Sequence, residues 1–233
     1  MTKKSVTAMI VLIFFAAFIS IIYIINTGSY VPVFVKNKTS RQIVIDPGHG
    51  GEDGGAVVGD VFEKDINLKI AKILKDLLDV SGFETIMTRT EDISIYDKGA
   101  DSLRKKKSSD LINRLKIANE NENAIFVSVH QNKFPQSQYW GAQVFYGSQN
   151  EHSKELAEQL QNTIVKTLQP NNKRNIKPVQ DNVYLIYNAK TPAVLCECGF
   201  MSNKDEMLLL KDESYQKKMA FSIYAGILKF YNS

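Results

Sequence analysis

The sequence predicts an α/β fold: a single three-layer domain with a mixed, largely parallel central sheet flanked by helices, preceded by an N-terminal transmembrane or signal helix. Three observations carry that expectation. From residue 41 onward, short apolar runs alternate with segments whose apolar residues recur at three and four. The run Ala124-Ile125-Phe126-Val127-Ser128-Val129 is nearly all apolar, as a central strand covered on both faces has to be. Residues 6–25 hold no charge, and a helix of that length reaches about 30 Å, the thickness of a hydrocarbon core.

Lys3 and Lys4 precede the apolar run, which places the N-terminus in the cytoplasm and the rest of the chain outside. A cleavable signal has the same polarity but a shorter apolar core and a small-x-small site. Phe18-Ile19-Ser20 is a poor site and Asn26-Thr27-Gly28 only a passable one. Residues 1–26 are therefore read as an uncleaved anchor, with a cleaved signal as the alternative. Residues 27–40, polar and turn-rich with Pro32 and Lys36, form a linker, and 41–233 the globular domain.

The 233 residues carry 29 basic and 25 acidic side chains, a formal charge of 29 − 25 = +4. That excess is too small to argue for a nucleic-acid partner, and none is expected. With 44% hydrophobic and 23% charged residues the chain is not disordered throughout. Two Cys cannot build a disulfide scaffold.

Within the domain, 42–46 reads as a strand around Ile43, Val44 and Ile45, running into a loop, 47–59, with six Gly. A helix follows over 60–80, with Ile66, Ile70, Ile73, Leu74, Leu77 and Leu78 on one face, and Gly82 stops it. The next strand is 83–88. Residues 91–109 show no regular pattern and include the basic run Arg104 to Lys107, read as a solvated face, with contact to wall polyanions as the alternative. A helix opens at Ser109 or Asp110 and runs to Asn119. After the central strand 124–129 come a strand at 141–146, an amphipathic helix at 153–168, strands at 184–187 and 193–197, and a closing helix at 215–231. Active sites of such sheets lie beyond the carboxyl ends of the strands.

Two of the three His stand at that edge. His49 follows the first strand inside Asp46-Pro47-Gly48-His49-Gly50-Gly51, and His130 directly follows the central strand. His152, in a polar stretch, reads as surface. A hydrolytic zinc site takes three protein ligands and keeps one position open. Two imidazoles and a carboxylate satisfy this, and Glu63, fourteen residues after His49, is the natural third. Spacing alone leaves Asp46, Glu52, Asp53 and Asp60 in competition with it. Asp60-Val61-Phe62-Glu63 also resembles a capping box, which would tie Glu63 to the Asp60 amide. Glu197 ends an apolar strand, where a carboxylate is costly without a purpose or a partner. It is read either as a satisfied ion pair or as a general base. Alternation puts Ala193, Leu195 and Glu197 on one face and Val194, Cys196 and Cys198 on the other, so both Cys read as small buried hydrophobes.

These segments, taken together, resemble a known family. DPGHGG (46–51), EKDINL (63–68), TR (88–89), NRLKIAN (113–119), FVSVHQN (126–132) and PAVLCECGFMSN (192–203) occur in the order found in the zinc-dependent N-acetylmuramoyl-L-alanine amidases of the type-3 amidase family. The resemblance covers about residues 41–231. It implies a single catalytic Zn²⁺ held by His49, Glu63 and His130, with Glu197 as the catalytic carboxylate. It departs from the family in a longer stretch between Arg89 and Arg114, and in Cys at 196 and 198 beside the glutamate.

The anchor, the bare catalytic domain and the longer basic stretch look most like the sporulation-specific amidases of spore cortex. The implied activity is hydrolysis of the amide between the muramic acid lactyl group and the stem-peptide L-alanine, leading to muramic lactam in the cortex. The implied partners are peptidoglycan muramyl peptides, the membrane through the N-terminal segment, and an extracytoplasmic activator protein. The implied location is extracytoplasmic, membrane-anchored or secreted, in the spore cortex compartment. Another zinc hydrolase of the wall, a peptidase or deacetylase, and a non-catalytic wall-binding protein are the alternatives.

Overall fold

The structure, a computed structural model, describes residues 41–232. The expected membrane or signal segment (1–26) and the linker (27–40) lie outside them. Among the described residues no helix is long and apolar enough to cross a membrane.

Among the described residues, eight strands and six helices follow in order: β1 (Gln42–Pro47), β2 (Val57–Val58), β3 (Val61–Phe62), α1 (Glu63–Val80), β4 (Glu84–Met87), α2 (Leu103–Ala118), β5 (Ile125–Asn132), β6 (Gln143–Tyr146), α3 (His152–Thr167), β7 (Lys177–Pro178), α4 (Tyr184–Asn188), β8 (Ala193–Phe200), α5 (Lys204–Lys211) and α6 (Glu213–Asn232). Six strands form one sheet in the order β4-β1-β5-β8-β6-β7. The pairs β4–β1, β1–β5 and β5–β8 are parallel, while β6 runs antiparallel to β8. The sheet is thus mixed and largely parallel, as expected.

Alternation along the strands divides the core in two. Ile43, Ile45, Ile125, Val127, Val194 and Cys196 face α1, α3 and α6, where they meet Ile70, Leu74, Leu160 and Ile223. Val44, Phe126 and Ala193 face the opposite side and meet Ala118, Leu185 and Ile186 of α2 and α4. Each central strand is buried on both faces, which explains the unbroken apolar run. The layers place the carboxyl ends of β1, β5 and β8 side by side, and these are the strand ends that carry or precede His49, His130 and Glu197.

Four local expectations need correction. The helix expected from residue 60 begins at Glu63, because 57–62 fold into the short β2–β3 hairpin with Asp60 in its turn. Its N-cap, Phe62, makes no side-chain cap bond, so the capping box does not form. The segment 184–187, expected as a strand, is the short helix α4. The basic run expected to be irregular lies in the first turns of α2, capped by Ser102, whose side chain accepts from the Lys105 amide at 3.3 Å. Lys and Arg are good helix formers, and an N-cap Ser suffices where no apolar face announces the helix. The helix α5 was not expected; Asn203, accepting from the amides of Asp205 and Glu206, caps it.

Leu74 is fully buried between α1 and the sheet, whereas Leu103 is largely exposed. Leu74→Ala should cost about 2–5 kcal/mol of stability, and Leu103→Ala under about 0.5 kcal/mol. Urea unfolding midpoints of the two variants, read at equal slope, check this contrast.

Candidate active site

Three side chains converge beyond the sheet edge. One ligand atom from each of His49, Glu63 and His130 lies within 4.8 Å of the others. The Glu63 carboxylate sits between the rings, with Oε2 3.3 Å from His49 Nε2 and Oε1 2.9 Å from His130 Nδ1. The two imidazoles stand edge to face with centroids 5.0 Å apart. Glycine makes this approach feasible: a Cβ at Gly48 would overlap the His130 ring, and one at Gly55 would strike both Glu63 and His49.

Glu63 is the first residue of α1, and the freed amides of that first turn find loop partners instead of a capping side chain. The Glu63 amide donates to Ala56 O at 2.9 Å and the Lys64 amide to Gly54 O at 3.2 Å. In return the Ala56 amide donates to Glu63 Oε2 at 2.7 Å. Oε1 accepts from Asn67 Nδ2 at 3.2 Å and from the Gln131 amide at 3.1 Å. Gln131 Nε2 donates to Asn67 Oδ1, closing a small network behind the carboxylate. Burial pushes Glu63 up, but its bonds to His130 and His49 outweigh that and hold it well below the usual carboxylate range.

His49 occupies a left-handed backbone conformation, φ +84°, the one non-glycine residue with positive φ among the described residues. Such geometry costs on the order of 1–3 kcal/mol and persists only where its surroundings over-determine it. Two buried arginines do so. Arg89 donates to the carbonyls of Pro47 and Gly48, and Arg114 to those of Pro47 and His49 at 3.0 and 2.8 Å. Arg114 also donates to Asp46 Oδ1 at 2.7 Å, with both side chains at most 3% exposed. Thr88 and Ser128 hydroxyls complete the Asp46 shell at 2.6 Å each. Burial raises Asp46, yet Arg114 and the two hydroxyls more than offset it, so its carboxyl stays below the ordinary range.

Asp53, one of the competing ligands, has a different place. Its Oδ2 lies 2.9 Å from His49 Nδ1, which fixes the ring and leaves Nε2 turned to Glu63. A carboxylate behind a ligating imidazole is the usual support of a metal-bound His. Burial disfavours the charged ring, but Asp53 and Glu63 prevail and raise His49 to about 9. Asp46 lies beneath the loop, Glu52 pairs with Lys106, and Asp60 stays in the hairpin turn, so none of them joins the cluster. His152 opens α3 at the surface with its side chain 59% exposed.

Glu197 is the register partner of His130 on the neighbouring strand. Its Oε2 is buried with no hydrogen-bond partner among the protein's groups, so the ion-pair reading does not hold. Burial, with a further push from Glu63 against the pull of His130 and His49, raises it to about 7. Cys196 and Cys198 are free and buried, with Cys198 Sγ donating to Cys196 O at 3.7 Å. Burial raises both thiols, which suits packing and not nucleophilic chemistry.

The donor set fits a zinc ion: two imidazoles and one carboxylate converge, no Lys or Arg neutralises that carboxylate, and a further buried carboxylate stands beside it without a partner. Asn67, Gln131 and the supporting role of Asp53 were not singled out in the sequence. A polar Asn four residues after Glu63 on the apolar face of α1 was the available signal.

Arg114→Met strands the Asp46 charge and should cost about 3–5 kcal/mol, measurable by urea unfolding at neutral pH. Because Asp46 stays ionised in the fold where the unfolded chain takes up a proton, its contribution is full above about pH 5 and is lost on acidification. Asp46→Asn should flatten that acid limb of the stability curve. A His49 ring that ligates a metal must be neutral, so metal binding there would displace its proton below about pH 9. Zinc affinity by chelator competition should therefore climb roughly tenfold per pH unit between about pH 6 and 8. A flat profile would contradict the protonated ring.

A family model described as N-acetylmuramoyl-L-alanine amidase matches residues 43–229. The chain is 37% identical over 193 residues to the germination-specific N-acetylmuramoyl-L-alanine amidase of Bacillus subtilis, covering 83% of this chain and 81% of that protein. Among solved structures, the CwlD amidase of Clostridioides difficile, in complex with the GerS lipoprotein, is 42% identical with a TM-score of 0.79, covering 82% of this chain and 98% of that one. An N-acetylmuramoyl-L-alanine amidase from Clostridium difficile 630 is 30% identical with a TM-score of 0.72, covering 83% and 98%. A fold, an ordered site and a match over nearly the whole described domain agree: the chain belongs to the N-acetylmuramoyl-L-alanine amidase family.

Proposed function

We propose that this amidase is a zinc hydrolase that cleaves the amide between the muramic acid lactyl group and the stem-peptide L-alanine, with His49, Glu63 and His130 as metal ligands and Glu197 as the proton carrier. The observation that carries the reading is Glu197 Oε2, buried without a partner across the strand from His130. Zinc bound at the three side chains would supply Lewis acidity and lower the pKa of water. Asp53 holds the His49 ring through Nδ1. Glu197 Oε2 takes the proton of the attacking water as it adds to the lactyl carbonyl. The same oxygen then hands that proton to the L-alanine nitrogen as the C–N bond breaks. A carboxyl raised to about 7 is matched to both halves of this exchange.

The substrate setting extends the same reading. The Bacillus subtilis relative is named germination-specific, which supports peptidoglycan of the spore cortex as the site of action and muramic lactam as the eventual product. The amidase whose structure this one resembles was solved with a lipoprotein, which supports an extracytoplasmic activator for this chain too. Residues 1–26 would then hold or deliver the 41–233 domain outside the membrane, with 27–40 as the spacer.

Purified enzyme and its Glu197→Gln variant, assayed on muropeptides, test the chemistry. One zinc per chain in both, with turnover reduced by about 10²–10⁴-fold in the variant, is expected. The wild-type products should carry a new L-alanine amino terminus and no free acetate. Undiminished turnover in the variant would remove Glu197 from the mechanism, and acetate would indicate a deacetylase.

A further inference from the structure

A cavity of about 230 Å³ opens beside His49 and His130, walled by apolar side chains that include Leu111, Leu185, Ile186 and Leu195. A second, of about 210 Å³, lies along the N-terminal turns of α2 next to Tyr96 and Leu103. The two share Asp53, Lys107 and Asp110, so together they form a groove that leads away from the metal ligands along α2.

Three cations line this groove, and two are already committed. Arg114 is saturated by Asp46, Asp110 and two loop carbonyls. Lys106 is held by both oxygens of Glu52 at 2.9 Å. Lys107 is different. Its ammonium lies 3.7 Å from Asp53 Oδ2, beyond hydrogen-bond length, and its side chain is 64% exposed at the junction of the two cavities. The carboxylates around it are engaged elsewhere, Asp53 by His49 and the Gly55 amide, Asp110 by Arg114 and the Ile95 amide. A groove with apolar walls and one loosely held ammonium suits a peptide that carries a carboxylate.

We propose that Lys107 is a specificity-determining residue that pairs with a carboxylate of the stem peptide and so orients the scissile amide toward His49 and His130. This rests on the amidase reading above. Of the three cations that line the groove, Lys107 is the one whose ammonium has no partner within hydrogen-bond length, so it is the one able to make such a pair.

The full chain, zinc-loaded and carrying Glu197→Gln to prevent turnover, is titrated by calorimetry with a muramyl peptide bearing its carboxylates and with the same peptide amidated. About two- to fivefold tighter binding of the acidic peptide is expected, weakening with added salt. Adding Lys107→Gln should erase that preference, and Lys107→Arg should keep it, with zinc content and thermal midpoint unchanged in both. Equal binding of the two peptides before Lys107 is changed, or a preference that survives Lys107→Gln, overturns the proposal and leaves the amidase reading standing. Binding of neither peptide also overturns the proposal, while the amidase reading stands or falls on the muropeptide assay above.

Discussion

Asp46 is a carboxylate with no access to water, and the geometry of the site follows from how it is compensated. It stands one residue before the end of β1, accepts from Thr88 and Ser128, and is paired with Arg114, which reaches across from α2. A buried pair of this kind adds little net stability over an apolar substitute, but it tolerates only one arrangement of its partners. Arg114 also donates to Asp110 and to the Pro47 and His49 carbonyls, and Arg89 takes those of Pro47 and Gly48. Planar guanidinium groups suit this task because their donors are rigidly spaced. The loop after β1 is thereby held from below, and His49 is kept in a backbone conformation it would otherwise leave.

Above that frame, two glutamates of the same site behave as different acids. Glu63 receives donors on both oxygens and faces two imidazoles, so it remains charged and is suited to ligation. Glu197 is one strand away in register with His130, and its buried oxygen has no donor. Burial then dominates and lifts it to about 7. Environment, not residue type, sets the two carboxylates apart.

How much of this was legible in the sequence depended on range. The layered fold was readable because each central strand is covered on both faces, which leaves an apolar signature in Ala124 to Val129. His49 and His130 were readable because strand ends in such sheets carry chemistry. Spacing left Asp53 and Glu63 in competition for the third place beside them, and it was the EKDINL segment of the family resemblance that singled out Glu63. In the structure the β2–β3 hairpin starts α1 at Glu63, and that carboxylate lies between His49 and His130. Helix α2 was misplaced because its early residues are basic and lack an apolar face, while the cap at Ser102 is a single side chain. The short helix α4 carries the aromatic and β-branched residues of a strand, and packing against β8 decided the matter.

The most direct test of the account is anomalous diffraction at the zinc edge from crystals of the zinc-loaded protein. A single peak at about 2.0–2.2 Å from His49 Nε2, a Glu63 oxygen and His130 Nδ1 is expected, with Glu197 close by but not ligating. A peak ligated by Asp53 or Glu197 in place of Glu63, or His49 relaxed to a negative φ with its carbonyl released from Arg114, would contradict it.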